Sequence, residues 1–230
     1  MCRDERLIES PRIFSEQIPL PQKLSKKIGS RTASIVRIVN EHSLSEKTGG
    51  GRPAYWEMVF WWTRKPLAGA RFVIAASLLP QNVDVKKLAK ALRLLDEKLP
   101  HNLNPDLRLL EDEEAIDRIK KAKLLDPFAG FGSIPLEAIR LGVREVVAVE
   151  LLPTAYVFLK AVLEYPTKYG KLKTTVPHEE AKKLESLIDW QTLKKKGLAR
   201  DTPKGIEAPH PAHPLWPGAN NSSLGNLLLI

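Results

Sequence analysis

The chain has 230 residues, 43% of them hydrophobic, enough for one domain with appendages and a core of its own. Basic side chains exceed acidic ones by nine, and a single cysteine, Cys2, excludes internal disulfides and a cysteine-built zinc site. No apolar run approaches a bilayer span and the start, MCRDERLIESPRIF, lacks a signal-peptide core, so no membrane partner is expected and the cytoplasm is the default location.

The excess charge is concentrated: residues 20 to 71 carry ten Lys or Arg and three Glu. A local basic segment fits a polyanionic partner, because neutralised phosphates release counterions; a solvated basic surface accounts for it equally well. Three regions are read along the chain. Residues 1–120 form a mainly helical N-terminal region, 121–197 a nucleoside-binding βαβ unit, and 198–230 an irregular or disordered tail. The overall class is α/β with a partial parallel sheet.

Residues 1 to 20 read as an extended arm rather than a helix, since Pro19 and Pro21 lie so close together. Thr32 to Asn40 is a strand or a helix. Gly49, Gly50 and Gly51 mark a turn beside Arg52, which could meet a phosphate; a surface loop is the plainer reading. Tyr55, Trp56, Phe60, Trp61 and Trp62 then crowd one short stretch. Such density usually means core packing. Interleaving with Arg64, Lys65 and Arg71 resembles surfaces that stack bases and grip phosphates. Pro66 is expected to start a helix with Leu67, Ala70, Ile74 and Leu78 on its apolar face.

Residues 80 to 121 read as helical scaffold. Asp84 caps a helix running through Leu99, and residues 100 to 110 are a loop. DEEAIDRIKKAK then gives a short helix, acidic first and basic last.

Lys121 to Leu151 is the most informative stretch. An apolar run stops at Asp126, Gly130 and Gly132 break the chain, and Ser133 is expected to N-cap a helix that Gly142 ends. Pro135 and Glu137 suit its first turns. Val146 to Leu151 gives the next strand, interrupted by Glu150. Two glycines after a strand let the backbone approach a ligand closely. Asp126 and Glu150 would stand at neighbouring strand tips, which face one crevice in a parallel sheet. A dinucleotide fingerprint needs a third glycine that is missing here, and Asp126 would repel a pyrophosphate. It suits a ligand with an amino group, which points to S-adenosylmethionine, with its ribose hydroxyls on Glu150.

Beyond the strand, Thr154 to Tyr165 is expected as a helix, 171 to 177 as a short strand and His178 to Lys196 as a charged helix. His210 and His213 lie three apart with no further ligand nearby, so no metal site is expected.

The segment DPFAGFGSIPLEA resembles motif I of amino-methyltransferases acting on DNA or RNA bases, and VVAVELLP resembles their next strand and acidic loop. Upstream, WWTRKPLA resembles an element of a family of adenine-specific DNA methylases with an uncharacterised N-terminal domain. The resemblance covers roughly residues 6 to 170. It implies a class I, Rossmann-like methyltransferase sheet and S-adenosylmethionine as cofactor. The residues it places at the cofactor are Asp126, Pro127, Phe128, Ala129, Gly130, Gly132, Glu150, Leu151, Lys65 and Pro66. The tryptophan element favours DNA over RNA, with Arg52, Trp61, Trp62, Arg64 and Arg71 toward the nucleic acid. The target would be adenine N6 or cytosine N4.

Base-amine methylation in this superfamily also uses an Asp/Asn/Ser-Pro-Pro-aromatic motif on a later strand. The chain contains no Pro-Pro pair, so no catalytic residue is assigned. The chain reads as an N-terminal portion, a truncated product or one half of a split enzyme, to which a second chain could bring the missing motif. An RNA base methyltransferase and a non-catalytic nucleic-acid- or partner-binding fragment remain open.

Overall fold

The computed structural model describes residues 12–48, 52–53, 63–80, 82–165, 168, 173–186, 188–195, 199–209 and 226–229. It is a mixed α/β protein, rich in helix, with small sheets. The opening segment contains one helical turn, α1 (Arg12–Ser15), before the extended β1 (Gln17–Pro19). The expectation of an arm without helix is corrected there: Ile13 is buried in the core, and Phe14 stacks edge-on against Phe72 at 6.2 Å. After α2 (Gln22–Ile28), strand β2 (Thr32–Ser34) pairs antiparallel with β1. Residues 32 to 40 are thus both strand and helix. Ser34 ends β2 and caps α3 (Ile35–Lys47), accepting the Arg37 N–H at 3.4 Å.

Helix α4 (Leu67–Leu78) starts after Pro66, as expected. It is buried more widely than the proposed face of Leu67, Ala70 and Ile74, because Ala68, Arg71, Phe72 and Ala75 are buried too. Helix α5 (Val85–Ala91) is capped by Asp84, which accepts the Lys87 N–H at 2.9 Å. It stops well short of Leu99. Arg93 adopts φ 64°, outside the helical region, and donates from Nε to the Asn104 carbonyl at 3.2 Å. Two 3-10 turns, Pro100–Asn102 and Leu107–Leu110, replace the expected loop. Asp112 caps α6 (Glu113–Lys121).

The sheet that matters for the site follows. Strand β3 (Lys123–Asp126), helix α7 (Ser133–Leu141) and strand β4 (Glu145–Ala148) form a βαβ unit with parallel strands, in register Lys123↔Glu145 through Asp126↔Ala148. A third strand, β8 (Asn226–Leu229), lies parallel on the other side of β4. Helix α8 (Pro153–Leu159) passes into a π-helical turn, Lys160–Glu164, so the expected 154–165 helix is one rod with a widened end.

The remainder departs from its expectations. Strand β5 (Lys173–Val176) forms, but the single charged helix is two short ones, α9 (His178–Lys183) and α10 (Trp190–Lys195). In the expected tail, β6 (Arg200–Thr202) and β7 (Gly205–Pro209) make a hairpin, and β7 pairs antiparallel with β5. Gly205, at φ 148°, turns that hairpin; an added Cβ would stand 2.1 Å from the Val176 carbonyl oxygen. Its own core is Ala181, Trp190, Ala199, Ile206 and Ala208. Among the described residues no helix is long and apolar enough to cross a membrane.

Candidate functional site: a cleft over the glycine turn

Strand β3 delivers Asp126 to the sheet's carboxyl edge, and the turn Pro127–Gly132 folds back over β4. Two backbone bonds fix that fold: the Val149 N–H donates to the Asp126 carbonyl at 2.9 Å, and the Ala129 N–H to the Val149 carbonyl at 3.0 Å. Gly130 and Gly132 have φ of 53° and 78°, the left-handed region where glycine is at ease. Helix α7 begins at Ser133, with Gly132 as N-cap. The expected Ser133 cap is therefore corrected: the serine lies one residue inside the helix. Its hydroxyl is buried and has no protein hydrogen-bond partner.

The turn floors a cleft of about 240 Å³. From the expected cofactor set, Asp126, Phe128, Ala129, Gly130 and Lys65 line it; Thr63, Arg64, Phe131, Ser133 and Ile134 complete the lining. Residues some sixty positions apart in sequence are thereby brought together. Pro66 faces an adjoining apolar groove between α3 and α4 instead, sharing Lys65 and Ile134 with the cleft. Pro127 and Leu151 are exposed and do not line it, and neither does the half-buried Glu150, which meets the turn from the β4 side. Gly132 acts sterically rather than as a lining residue, since a Cβ there would come within 2.7 Å of Leu159 Cδ2.

Two carboxylates govern the electrostatics. Asp126 is buried and accepts the Phe128 N–H at 3.1 Å. Burial pushes its carboxyl above the usual range; the Phe128 hydrogen bond opposes this, and the nearby Glu150 charge adds to it. Glu150 accepts the Gly130 N–H at 2.7 Å and the Leu152 N–H at 2.9 Å. The Gly130 amide is thus already engaged within the protein. What the turn offers a ligand is close approach and two neighbouring carboxylates, each oxygen retaining a lone pair. Such a pair favours a ligand carrying a cation and hydroxyl donors over an anionic one.

Of the residues expected at nucleic acid, Trp61 and Trp62 lie outside the described residues, as do Gly49 to Gly51, Tyr55, Trp56, Phe60, Cys2, His210 and His213. Arg52 is exposed, and Arg64 lines the cleft. Arg71 is taken out of the set. It is fully buried; its Nε donates to Glu137 at 2.5 Å, Nη1 to the Leu92 carbonyl at 2.9 Å and Nη2 to the Leu103 carbonyl at 3.0 Å. Glu137, expected to serve the helix start, is equally buried and also accepts from Arg140 at 2.7 Å. This trio ties α4 to α7. Removing one member of such a buried pair costs about 3–5 kcal/mol, because the remaining charge is stranded.

One further carboxylate was not signalled by the sequence. Glu46, in the last turn of α3, is completely buried. It accepts the Leu67 N–H at 2.6 Å and the Ala68 N–H at 2.9 Å, the first two amides of α4. Pro66, the N-cap, offers no side-chain acceptor of its own. No local pattern could reveal this partnership, since the two sites are separated by the aromatic stretch.

A family model described as a protein of unknown function (DUF1156) matches residues 36–98, which span α3, α4 and α5. No curated protein and no solved structure matches the chain. The matched segment includes Lys65 of the cleft, together with Glu46 and Arg71 behind it.

Proposed function

We propose that the chain binds S-adenosylmethionine in this cleft and is related to DNA adenine-N6 or cytosine-N4 methylases, built on a class I methyltransferase sheet. The observation that carries the reading is the convergence of Asp126, the glycine turn and the Thr63–Lys65 arm on one cleft, with Glu150 bonded to the turn at the Gly130 N–H. S-adenosylmethionine has an ammonium group, a sulfonium and two ribose hydroxyls. Asp126 would take the ammonium group, and the free lone pairs of Glu150 the ribose hydroxyls. The two left-handed glycines would let the ligand lie against the backbone. When bound, the sulfonium supplies an already activated methyl group. The protein's share is to orient the ligand and exclude water. DNA is the favoured acceptor, and a second chain would bring the base-binding motif. The missing Pro-Pro pair equally supports a non-catalytic binding role.

Calorimetric titration with S-adenosylmethionine, with a nicotinamide dinucleotide as control, tests the reading. Asp126→Ala and Glu150→Ala are each expected to weaken binding by about tenfold or more, the scale of one charge-assisted hydrogen bond. Arg144→Ala is expected to change it little. Equal, small effects from all three variants would reject the site.

A further inference from the structure

The cleft has one wall that the βαβ unit does not supply. Thr63, Arg64 and Lys65 lie directly before α4, and they reach the glycine turn only if the start of that helix is held in place. Pro66 cannot hold it, having neither a side-chain acceptor nor an N–H. The holding group is Glu46, whose two oxygens each take one amide of the first turn. The same helix is locked farther along by Arg71 to Glu137 on α7, the helix that carries the other side of the cleft.

We propose that Glu46 is a positioning residue: its carboxylate, clamped on the Leu67 and Ala68 amides, sets the Thr63–Lys65 arm against the glycine turn. The segment of unknown function thereby becomes a wall of the ligand cleft rather than an independent module. A fully buried carboxylate with no direct cation partner is a costly way to cap a helix. An exposed Ser, Thr, Asp or Asn at the N-cap would satisfy an amide of the first turn without that cost. The position therefore has a use beyond stability.

The clamp is sensitive to protons. Burial raises the Glu46 carboxyl to about 7, against the opposing pull of the two amides. Of the charged groups facing it, Glu137 on α7 raises it further and Arg71 on α4 lowers it. Above that pH both oxygens accept. Below it, one becomes a hydroxyl with no need of an amide donor, and the clamp loses a contact.

The test uses the full chain, as wild type, Glu46→Gln and Glu46→Asp, between pH 6 and 8.5. Backbone amide resonances of Leu67, Ala68, Lys65 and Gly130 are followed by NMR, and S-adenosylmethionine affinity by calorimetry. In the wild type all four resonances are expected to titrate together near pH 7. The ratio of wild-type to Glu46→Gln affinity should be about fivefold higher at pH 8.5 than at pH 6, the value of one hydrogen bond; the ligand's own amino group, which loses its proton over this range, is common to both chains. In Glu46→Gln the Leu67 and Ala68 resonances should be flat across the range, and the affinity at pH 8.5 weaker than that of the wild type. Glu46→Asp should restore the pH dependence in part, and it stands in if the glutamine variant does not fold. Asp126, also raised by burial, is common to all three chains and cancels in the comparison. A Glu46→Gln chain that keeps the wild-type profile, or that leaves Lys65 and Gly130 unmoved, overturns the proposal. The ligand arm rests on the cofactor reading. If the wild type binds no S-adenosylmethionine at any pH, that reading fails, and the resonances alone decide the role of Glu46.

Discussion

At Gly132 two constraints coincide on one backbone position. Its φ of 78° disfavours any side chain, and the Leu159 methyl would meet a Cβ at 2.7 Å. Leu159 is fully buried in the cluster that also holds Phe131, Leu136 and Phe158, so it has little room to yield. Gly132→Ala is expected to destabilise the protein by about 2–4 kcal/mol, strain and overpacking together. Equilibrium denaturation in urea checks this. Gly142 makes the useful contrast: its φ is 82°, but an added Cβ meets nothing within 4 Å. Gly142→Ala should cost only the backbone term, about 1–2 kcal/mol. Equal losses at the two positions would mean that Leu159 moves aside and the turn is softer than its packing implies.

Among the elements, α3 has the most to say about pH, since it carries both Glu46 and His42. The Glu46 carboxyl is raised in the folded chain, so between its ordinary value and about 7 the folded state holds more protons than the unfolded one. Stability then falls as pH rises through that window, because ionisation opposes folding. His42 and His101 act in the reverse sense. Burial lowers both, His101 to about 4, so their contribution is lost as pH falls below the ordinary histidine value. Subtracting the Glu46→Gln stability curve from the wild-type curve removes the histidine part. What remains should decline from about pH 4.5 to 7 by at most about 3 kcal/mol; thermal melts at fixed ionic strength measure it.

The helix ends show where the sequence could be read and where it could not. Asp84, Asp112 and Gly142 mark helix ends by local chemistry, and each stands where its residue type predicts, while Pro66 stands one residue before the first helical position. The order of strand, glycine turn and strand from Asp126 to Glu150 was legible for the same reason. Arg71 was misread because charge beside aromatics resembles a binding surface; only packing shows that Glu137 lies opposite it. Glu46 carried no signal whatever, since its partners are backbone amides twenty-one positions away. The hairpin at 200–209 did carry one. Pro203-Lys204-Gly205 between short runs is a turn signature, obscured by the proline-rich sequence that follows.

At the scale of the whole molecule, the buried apolar residues fall into separate clusters. The N-terminal helices share theirs with α6, α7 and β4. The cluster of Trp190 and the β5–β7 sheet includes none of those residues. Trp190 is buried, and its indole N–H donates to the Ala181 carbonyl at 3.0 Å. Trp190→Ala should therefore unfold the β5–β7 sheet locally, at a cost of about 3–5 kcal/mol to that unit, and leave β3 and β4 intact. Native-state hydrogen exchange resolves the two: protection should collapse for Thr174 to Val176 and Ile206 to Ala208 and persist for Leu124 to Asp126. Loss in both sheets together would show one cooperative unit.

The parallel pairing of β4 with β8 has a consequence for the order of assembly. Strands β3 and β4 are joined through a single short helix, so their loop closes cheaply and early. Strand β8 meets β4 only after about eighty intervening residues have been drawn in, with a correspondingly larger closure entropy. Refolding should therefore be biphasic: a fast step that builds the Asp126 turn, and a slower one that adds the third strand. The floor of the ligand cleft belongs to the fast step, while its Thr63–Lys65 wall must be brought in across about sixty residues. A chain caught between the two would already hold the Asp126 turn, while the flank of β4 that β8 will cover still lay open to water.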